Sequence, residues 1–264
     1  MSSPITTTPI LLLKTLLILV FLDGAIELAL AESCISWVNN GAAGPYPVLS
    51  PFGSDFGVFA MASRPEHLLF SLARAASAAG GLAFSVVALG GFLALWLRDR
   101  SRFASRTWAW TWIQVWPYTT IVFTLFSLAV TIALNVQTNM HAHQQIDPVL
   151  AEVLGPEVAY PIDTWTLPNF YAAVKGLVVD KGTVGTINSH LATMRGWRWN
   201  LVVLVVLQAL LSGVVWVESR RWAMRARTEG AVRMGGVEGM GGPDGLEKGV
   251  VERGSGGGEK GMMS

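Results

Sequence analysis

Three long runs without a charged side chain constrain the fold of this chain more than any other feature. They are AASAAGGLAFSVVALGGFLALWL (75–97), VWPYTTIVFTLFSLAVTIALNV (115–136) and WNLVVLVVLQALLSGVVWV (199–217). A helix needs about 20 predominantly apolar residues to cross the hydrocarbon core of a bilayer. In a chain that is 52% hydrophobic and 14% charged, the runs predict an all-α polytopic membrane protein with three clear transmembrane helices.

A further apolar run near 10–30 has two interpretations. As a transmembrane helix it must carry Asp23 and Glu27, and an acidic side chain near the bilayer centre costs up to about 3 kcal/mol. Its large apolar residues offset this at about 0.3–0.6 kcal/mol each. As a signal peptide it has Ala29-Leu30-Ala31 as a cleavage pattern, but a long leading segment in which only Lys14 is basic. We favour a retained helix and a bundle of four transmembrane helices; cleavage would leave three.

The connection between the runs 75–97 and 115–136 predicts the orientation. It is rich in arginine and is followed by tryptophans, and the residues are Arg98, Arg100, Arg102, Arg106, Trp108, Trp112 and Trp116. Arginine-rich short loops stay in the cytoplasm, and tryptophan settles at the membrane interface. We therefore expect the loops 32–74 and 137–198 to be lumenal or extracellular and the C-terminus to be cytoplasmic, in the plasma membrane or a membrane of the secretory pathway.

The loops predict a small, partly helical lumenal cap. The Pro- and Gly-rich part of the loop 32–74 is typical of irregular backbone, and Ser63-Arg64-Pro65 resembles a helix start. In the loop 137–198, Asp147-Pro148 with Gly155 predicts a short helix between them. A second short helix is expected over 169–175, and a third helix, starting at Thr186 or Asn188, is expected to merge with the last span.

The chain divides into a membrane bundle, 1–228, and a tail, 229–264. The tail is rich in glycine, carries mixed charges and has almost no aromatic side chains. Such a composition cannot bury enough apolar surface to offset chain entropy. We therefore expect the tail to be disordered and cytoplasmic.

One face of the run 115–136 carries small polar side chains. They recur at spacings of three and four and are Thr120, Thr124, Ser127, Thr131 and Asn135. A substrate path would need such a stripe, joined by Gln208, Asp23 and Glu27. Small hydroxylated residues also line helix seams, where they permit close approach and hydrogen bonds between helices. We favour the seam, and likewise favour packing within one bundle for the small residues around Gly80.

No motif predicts catalysis, a cofactor or a metal site. Cys34 is the only cysteine, and His141 and His143 are better explained as the polar end of a span than as copper or zinc ligands. The net charge of +1 argues against nucleic-acid binding. We expect a tetraspan-type organiser or scaffold without catalysis, whose partners are the lipid bilayer and other membrane proteins or a second copy of itself. The alternative is a small transporter or channel subunit that uses the polar face.

Overall fold

The computed structural model describes residues 8–42, 44–52, 57–101 and 107–238, with side chains for 10–42, 44–52, 57–100 and 111–224. The chain there is mostly helical. Its elements are α1 (Thr8–Asn39), β1 (Tyr46–Leu49), β2 (Val58–Met61), α2 (Phe70–Leu82), a π-helical segment (Ala83–Leu89), α3 (Gly90–Ser101), α4 (Thr107–Met140), α5 (Pro148–Leu154), α6 (Leu167–Lys175) and α7 (Lys181–Glu238). This order gives four long helical stretches connected by two structured loops.

Three helical stretches of the described chain are long and apolar enough to cross a membrane. They are Phe70–Arg100, Thr111–Met140 and Lys181–Met224. The predicted spans 75–97, 115–136 and 199–217 lie inside them, so these three predictions are confirmed. Helix α1 is long enough as well, but it carries Lys14, Asp23 and Glu27 and does not belong to this set.

One stripe of α1 forms the centre of the bundle. Its buried positions alternate in spacings of four and three and are Leu13, Leu17, Val20, Gly24, Glu27, Ala31, Cys34 and Val38. A repeat of about 3.5 residues keeps one seam of a helix against its neighbours with a slight left-handed crossing. The stripe packs mainly on α2 and the π-helical segment.

Glycines permit the closest approach of α1 and α2. A Cβ added to Gly80 would lie 2.8 Å from the backbone nitrogen of Leu28, and one added to Gly24 would lie 2.9 Å from the backbone nitrogen of Phe84. Both distances are too short for any side chain, so the two backbones touch directly here, as in other small-residue helix seams. The small residues around Gly80 therefore pack within one bundle, as the sequence favours.

The two loops are more ordered than the sequence predicts. In the loop 32–74, β1 and β2 form an antiparallel hairpin in which Tyr46 pairs with Met61 and Leu49 with Val58. The expectation of irregular backbone is wrong there, because the hairpin is supported from outside: Val48 forms a bridge with Val178 of the second loop. A two-stranded hairpin needs such packing to be stable.

The helix start expected at Ser63-Arg64-Pro65 is also wrong, since α2 begins at Phe70. The segment before it pairs with the second loop instead. The backbone N–H of Glu66 donates to the Tyr160 carbonyl over 3.0 Å, and that of Leu69 donates to the Trp165 carbonyl over 2.8 Å. These bonds hold the segment extended, which is incompatible with a helical turn at Pro65.

The short helices of the second loop lie close to the positions that their capping residues predict. In α5 the Asp147 carboxylate accepts from the Val149 backbone N–H at 2.9 Å, and Gly155 ends the helix with a φ of 72°. The predicted helix at 169–175 is α6, which begins two residues earlier and has Gly176 as its C-cap. Helix α7 begins at Lys181, before the expected Thr186 or Asn188, because Asp180 caps it.

The two loops contain an aromatic core, whose fully buried side chains include Trp165, Phe170, Tyr171 and Tyr46. Burial raises the pKa of the Tyr46 and Tyr171 phenols, so both remain hydrogen-bond donors. Trp37, at the end of α1, stacks on His190 of α7 with ring centres 4.2 Å apart. The ring of Tyr171 also packs on Trp37, with ring centres 4.6 Å apart, so the loop core packs directly onto the end of α1.

Of the predicted tail, residues 229–238 form the last turns of α7, and the remainder lies outside the described residues. The disorder expected for 229–264 stays a prediction. The chain separates into the compact unit Met1–Ser219 and a second unit, Arg220–Ser264. All sites described below belong to the first unit.

Candidate functional site: polar residues inside the helix bundle

The polar stripe of α4 is turned inward. Thr120, Ser127 and Thr131 are buried, and Thr124 and Asn135 are half-buried. Most of these side chains donate to carbonyls of their own helix. The hydroxyls of Thr124 and Thr131 donate to the carbonyls of Thr120 and Ser127, each over 2.7 Å. Small hydroxylated side chains inside membrane helices commonly find their hydrogen-bond acceptors in this way.

The stripe also faces α7. The hydroxyl oxygens of Thr124 and Ser212 lie 2.9 Å apart, which is hydrogen-bond distance between the two helices. Gln208, one turn earlier on α7, is 1% exposed, and neither its amide oxygen nor its amide nitrogen has a hydrogen-bond partner among the described residues. The Ser127 hydroxyl is likewise buried without a partner there. Helices α4 and α7 thus share one polar contact and two unsatisfied groups.

Glu27 lies in the buried stripe of α1 and is fully buried. Its Oε2 accepts a hydrogen bond from the Asn200 amide of α7 at 3.0 Å. Its Oε1 is buried and has no partner among the described residues, and the same holds for Oδ2 of Asp23, one turn earlier. Buried polar groups are nearly always hydrogen-bonded, so these two carboxyl groups, like Gln208, are incompletely satisfied among the described residues.

The structure brings only some of the predicted polar residues together. Thr124 meets Ser212, and Glu27 meets Asn200, but no hydrogen bond among the described residues joins either acidic side chain to the α4 stripe. Asn200 and Ser212 are not evident from the sequence, because each is an isolated polar residue in an apolar run. Only the orientation of α7 relative to α1 and α4 shows that Asn200 faces Glu27 and that Ser212 faces Thr124.

The tryptophans at the start of α4 pack against the preceding span. Trp116 is 3% exposed and donates from its indole nitrogen to the Val87 carbonyl at 3.3 Å. Trp112 donates in the same way to the Gly90 carbonyl at 3.3 Å. A Cβ on Gly91 would lie 2.5 Å from the Trp116 ring, so the glycine makes room for it. The side chain of Trp108 lies outside the described residues.

Two of the predicted arginine anchors are described at the end of α3. Arg98 lies 3.5 Å from the Asp99 carboxylate, and Arg100 lies over the Trp96 ring, 4.8 Å from its centre. Arg102 and Arg106 lie outside the described residues. The role of these arginines and tryptophans in fixing the topology stays a prediction.

Within the described part of the chain, no group of three or more His, Cys, Asp or Glu is placed to hold a metal ion. His141 instead contacts the Gln137 side chain at 3.2 Å. No protein-family model, curated protein or solved structure matches this chain. Its function therefore has to be argued from its own residues.

Proposed function

We propose that this chain is a tetraspan-type membrane organiser that binds other membrane proteins or lipids and performs no catalysis. In this proposal α1, the stretch 70–101, α4 and α7 all cross the membrane. The loops 32–74 and 137–198 form a cap on the lumenal or extracellular side, and the arginines after the second span face the cytoplasm. The membrane is the plasma membrane or one of the secretory pathway.

The outer surface of α1 supports a fourth membrane span. Opposite its buried stripe, large apolar side chains are about half exposed, namely Leu11, Leu12, Ile18, Leu19, Leu22 and Ile26. Such a surface suits lipid and would be unfavourable in water. Ala31, the last residue of the possible cleavage pattern, is buried inside a helix that continues to Asn39. Removal of residues 1–31 would take away most of the stripe on which α2 packs.

The observation that carries the organiser proposal is the use of the α4 stripe as a seam. Its hydroxyls donate to carbonyls of their own helix, and Thr124 bonds across to Ser212. A conduction path would instead leave these oxygens to water or a solute. In this proposal the stripe is part of a helix seam, in which the Thr124–Ser212 hydrogen bond joins α4 to α7.

The ordered cap offers the surface for a protein partner. Leu49 and Val58 are cross-strand neighbours on the outward face of the hairpin and are 52% and 54% exposed. On α5, Val153 is 76% exposed. Apolar side chains exposed on a rigid, extramembrane scaffold are typical of protein interaction surfaces.

One observation favours the second candidate, a transporter or channel subunit. Glu27, Asp23 and Gln208 hold buried polar atoms without partners, and acidic groups within membranes commonly belong to ion pathways. Thr124→Ala with Thr131→Ala separates the candidates. In an organiser the double variant reaches its membrane, assembles normally and leaves ion permeability unchanged, as does the control Thr119→Ala beside the stripe.

The flux measurement uses the purified chain in liposomes, with fluorescent reporters of proton and potassium movement. A protein-dependent flux that the double variant abolishes and Thr119→Ala preserves would overturn the organiser proposal. A partner of the organiser should co-purify in mild detergent with the wild-type chain and be lost with Val153→Asp. The charge change Glu157→Lys, also on the cap surface, serves as the control and should retain the partner.

A further inference from the structure

A cavity of about 440 Å³ opens where the cap meets the start of α2. Its wall combines the end of α1, the extended segment before α2 and the first turns of α2. The cavity has the size of a small-ligand site. It lies outside the polar groups of the bundle described above.

Two arginines line this cavity, Arg64 and Arg74. Among the described side chains neither forms an ion pair or a hydrogen bond. Arg74 lies over the Phe70 ring, 5.1 Å from its centre, and its guanidinium edge keeps its donors available. Glu66 is the one acidic residue in the lining, so the wall has an excess of positive charge.

The rest of the lining is mainly apolar and includes Val38, Leu68 and Phe70. Arg74 directly precedes the uncharged run 75–97. The Arg74 guanidinium is therefore at the height where the α2 span would leave the hydrocarbon, which is the level of lipid headgroups, and Arg64 lines the same cavity. Cations and apolar walls together fit a ligand with a charged group and an organic portion.

We propose that this cavity is a phosphate site, in which Arg64 and Arg74 bind the phosphate group and the apolar wall receives the organic portion that carries it. Guanidinium groups match phosphate oxygens with paired, charge-assisted hydrogen bonds. The first residues of α2 add the favourable field of a helix N-terminus. The phosphate belongs either to a lipid headgroup or to a soluble phosphate ester. This proposal does not depend on the organiser function.

The test measures binding to the purified full chain in non-ionic detergent by native mass spectrometry. The probes are dioctanoyl phosphatidate, dioctanoylglycerol, which lacks the phosphate, and glycerol 3-phosphate, which lacks the acyl chains. Dioctanoyl phosphatidate should bind at least about tenfold more tightly than dioctanoylglycerol. Glycerol 3-phosphate binding as tightly as the lipid identifies a soluble ester as the source, and weaker binding identifies a headgroup.

Charge variants locate the site. Arg64→Gln with Arg74→Gln should weaken phosphatidate binding about tenfold or more, while Arg195→Gln, which removes one positive charge from α7 outside the cavity lining, should not. Glu66→Gln should tighten binding, because it removes the negative charge from the wall. Thermal unfolding of each variant shows that the protein is folded. Equal binding of phosphatidate and dioctanoylglycerol, or equal effects of the Arg64/Arg74 and Arg195 variants, would overturn the proposal, as would weaker binding by Glu66→Gln.

Discussion

Asn200 and Glu27 join the last long helix to the first, 173 positions apart in sequence, through a hydrogen bond of 3.0 Å between the amide nitrogen and the carboxylate Oε2. Glu27 is completely buried, so this bond is part of its compensation for leaving water. The pair belongs to the interior of the helix bundle.

Replacing Asn200 by leucine should therefore destabilise the protein. The change removes the Asn200 donor from Oε2 of Glu27, while the Trp197 side chain still interacts with the carboxyl group. The loss of a partner from a buried acceptor costs about 1–3 kcal/mol. Thermal unfolding in detergent measures the loss. Asn188→Leu, at an exposed position of the same helix, is the matched control. An equal melting temperature for the wild type and Asn200→Leu would show that the bond contributes nothing.

Two glycines predict opposite effects of the same substitution. Gly80→Ala should lower the free energy of unfolding by about 1–3 kcal/mol, because the new methyl group would meet the Leu28 backbone at 2.8 Å and overpack the seam. Gly213→Ala on α7 meets nothing within 4 Å and should be neutral or stabilising by up to about 1 kcal/mol, since alanine favours helix. If both variants melt alike, α1 does not pack on α2 as described.

The packing of α1 predicts that residues 1–31 remain in the mature protein. Peptide mapping of the protein purified from its membrane should recover peptides from 1–31 in the same amount as those from α7. Ala31→Leu, which blocks a small-residue cleavage pattern, should leave the intact mass unchanged apart from the substitution. A mature N-terminus at Glu32 would refute the four-helix arrangement and remove Asp23 and Glu27 from the bundle.

The hydrogen bonds by which Asp180 caps the N-terminus of α7 should make the stability of the protein depend on pH. Its carboxylate accepts from the hydroxyl and the backbone N–H of Thr183, each at 2.7 Å, and these bonds hold its pKa below the ordinary value. A lowered folded pKa means that the stabilisation is present above about pH 4 and is lost as the pH falls through the folded value.

Thermal unfolding from pH 5 to pH 2 should therefore show a steeper loss for the wild type than for Asp180→Asn, because asparagine still caps a helix but does not titrate. The same substitution at the exposed Asp163, which caps none of the described helices, is the control. Identical pH profiles for the wild type and Asp180→Asn would contradict the role of this cap.

The sequence predicts most of what depends on local patterns. Run length and periodicity find three membrane helices and the inward face of α4, and the signals around Asp147 and Gly155 bound α5 almost to the residue. The contact between Glu27 and Asn200 cannot be predicted from the sequence, because it depends on how α1 and α7, which are far apart in the chain, are rotated about their axes. The hairpin could not be predicted for a related reason. Its strand β1 is supported by Val178 of the other loop, and the sequence of the hairpin itself does not indicate this partner.

The π-helical segment Ala83–Leu89 is a wide helical turn within the stretch Phe70–Arg100, and it separates α2 from α3. Such a turn holds one residue more than an α-helix would place there. If the same residues formed a regular α-helix throughout, every residue beyond the segment would be turned by about 100°, and Gly91 would no longer face the Trp116 ring that it now admits. The wide turn therefore sets the direction in which the second half of this stretch faces: the first half packs mainly on α1, and the second half packs on α4.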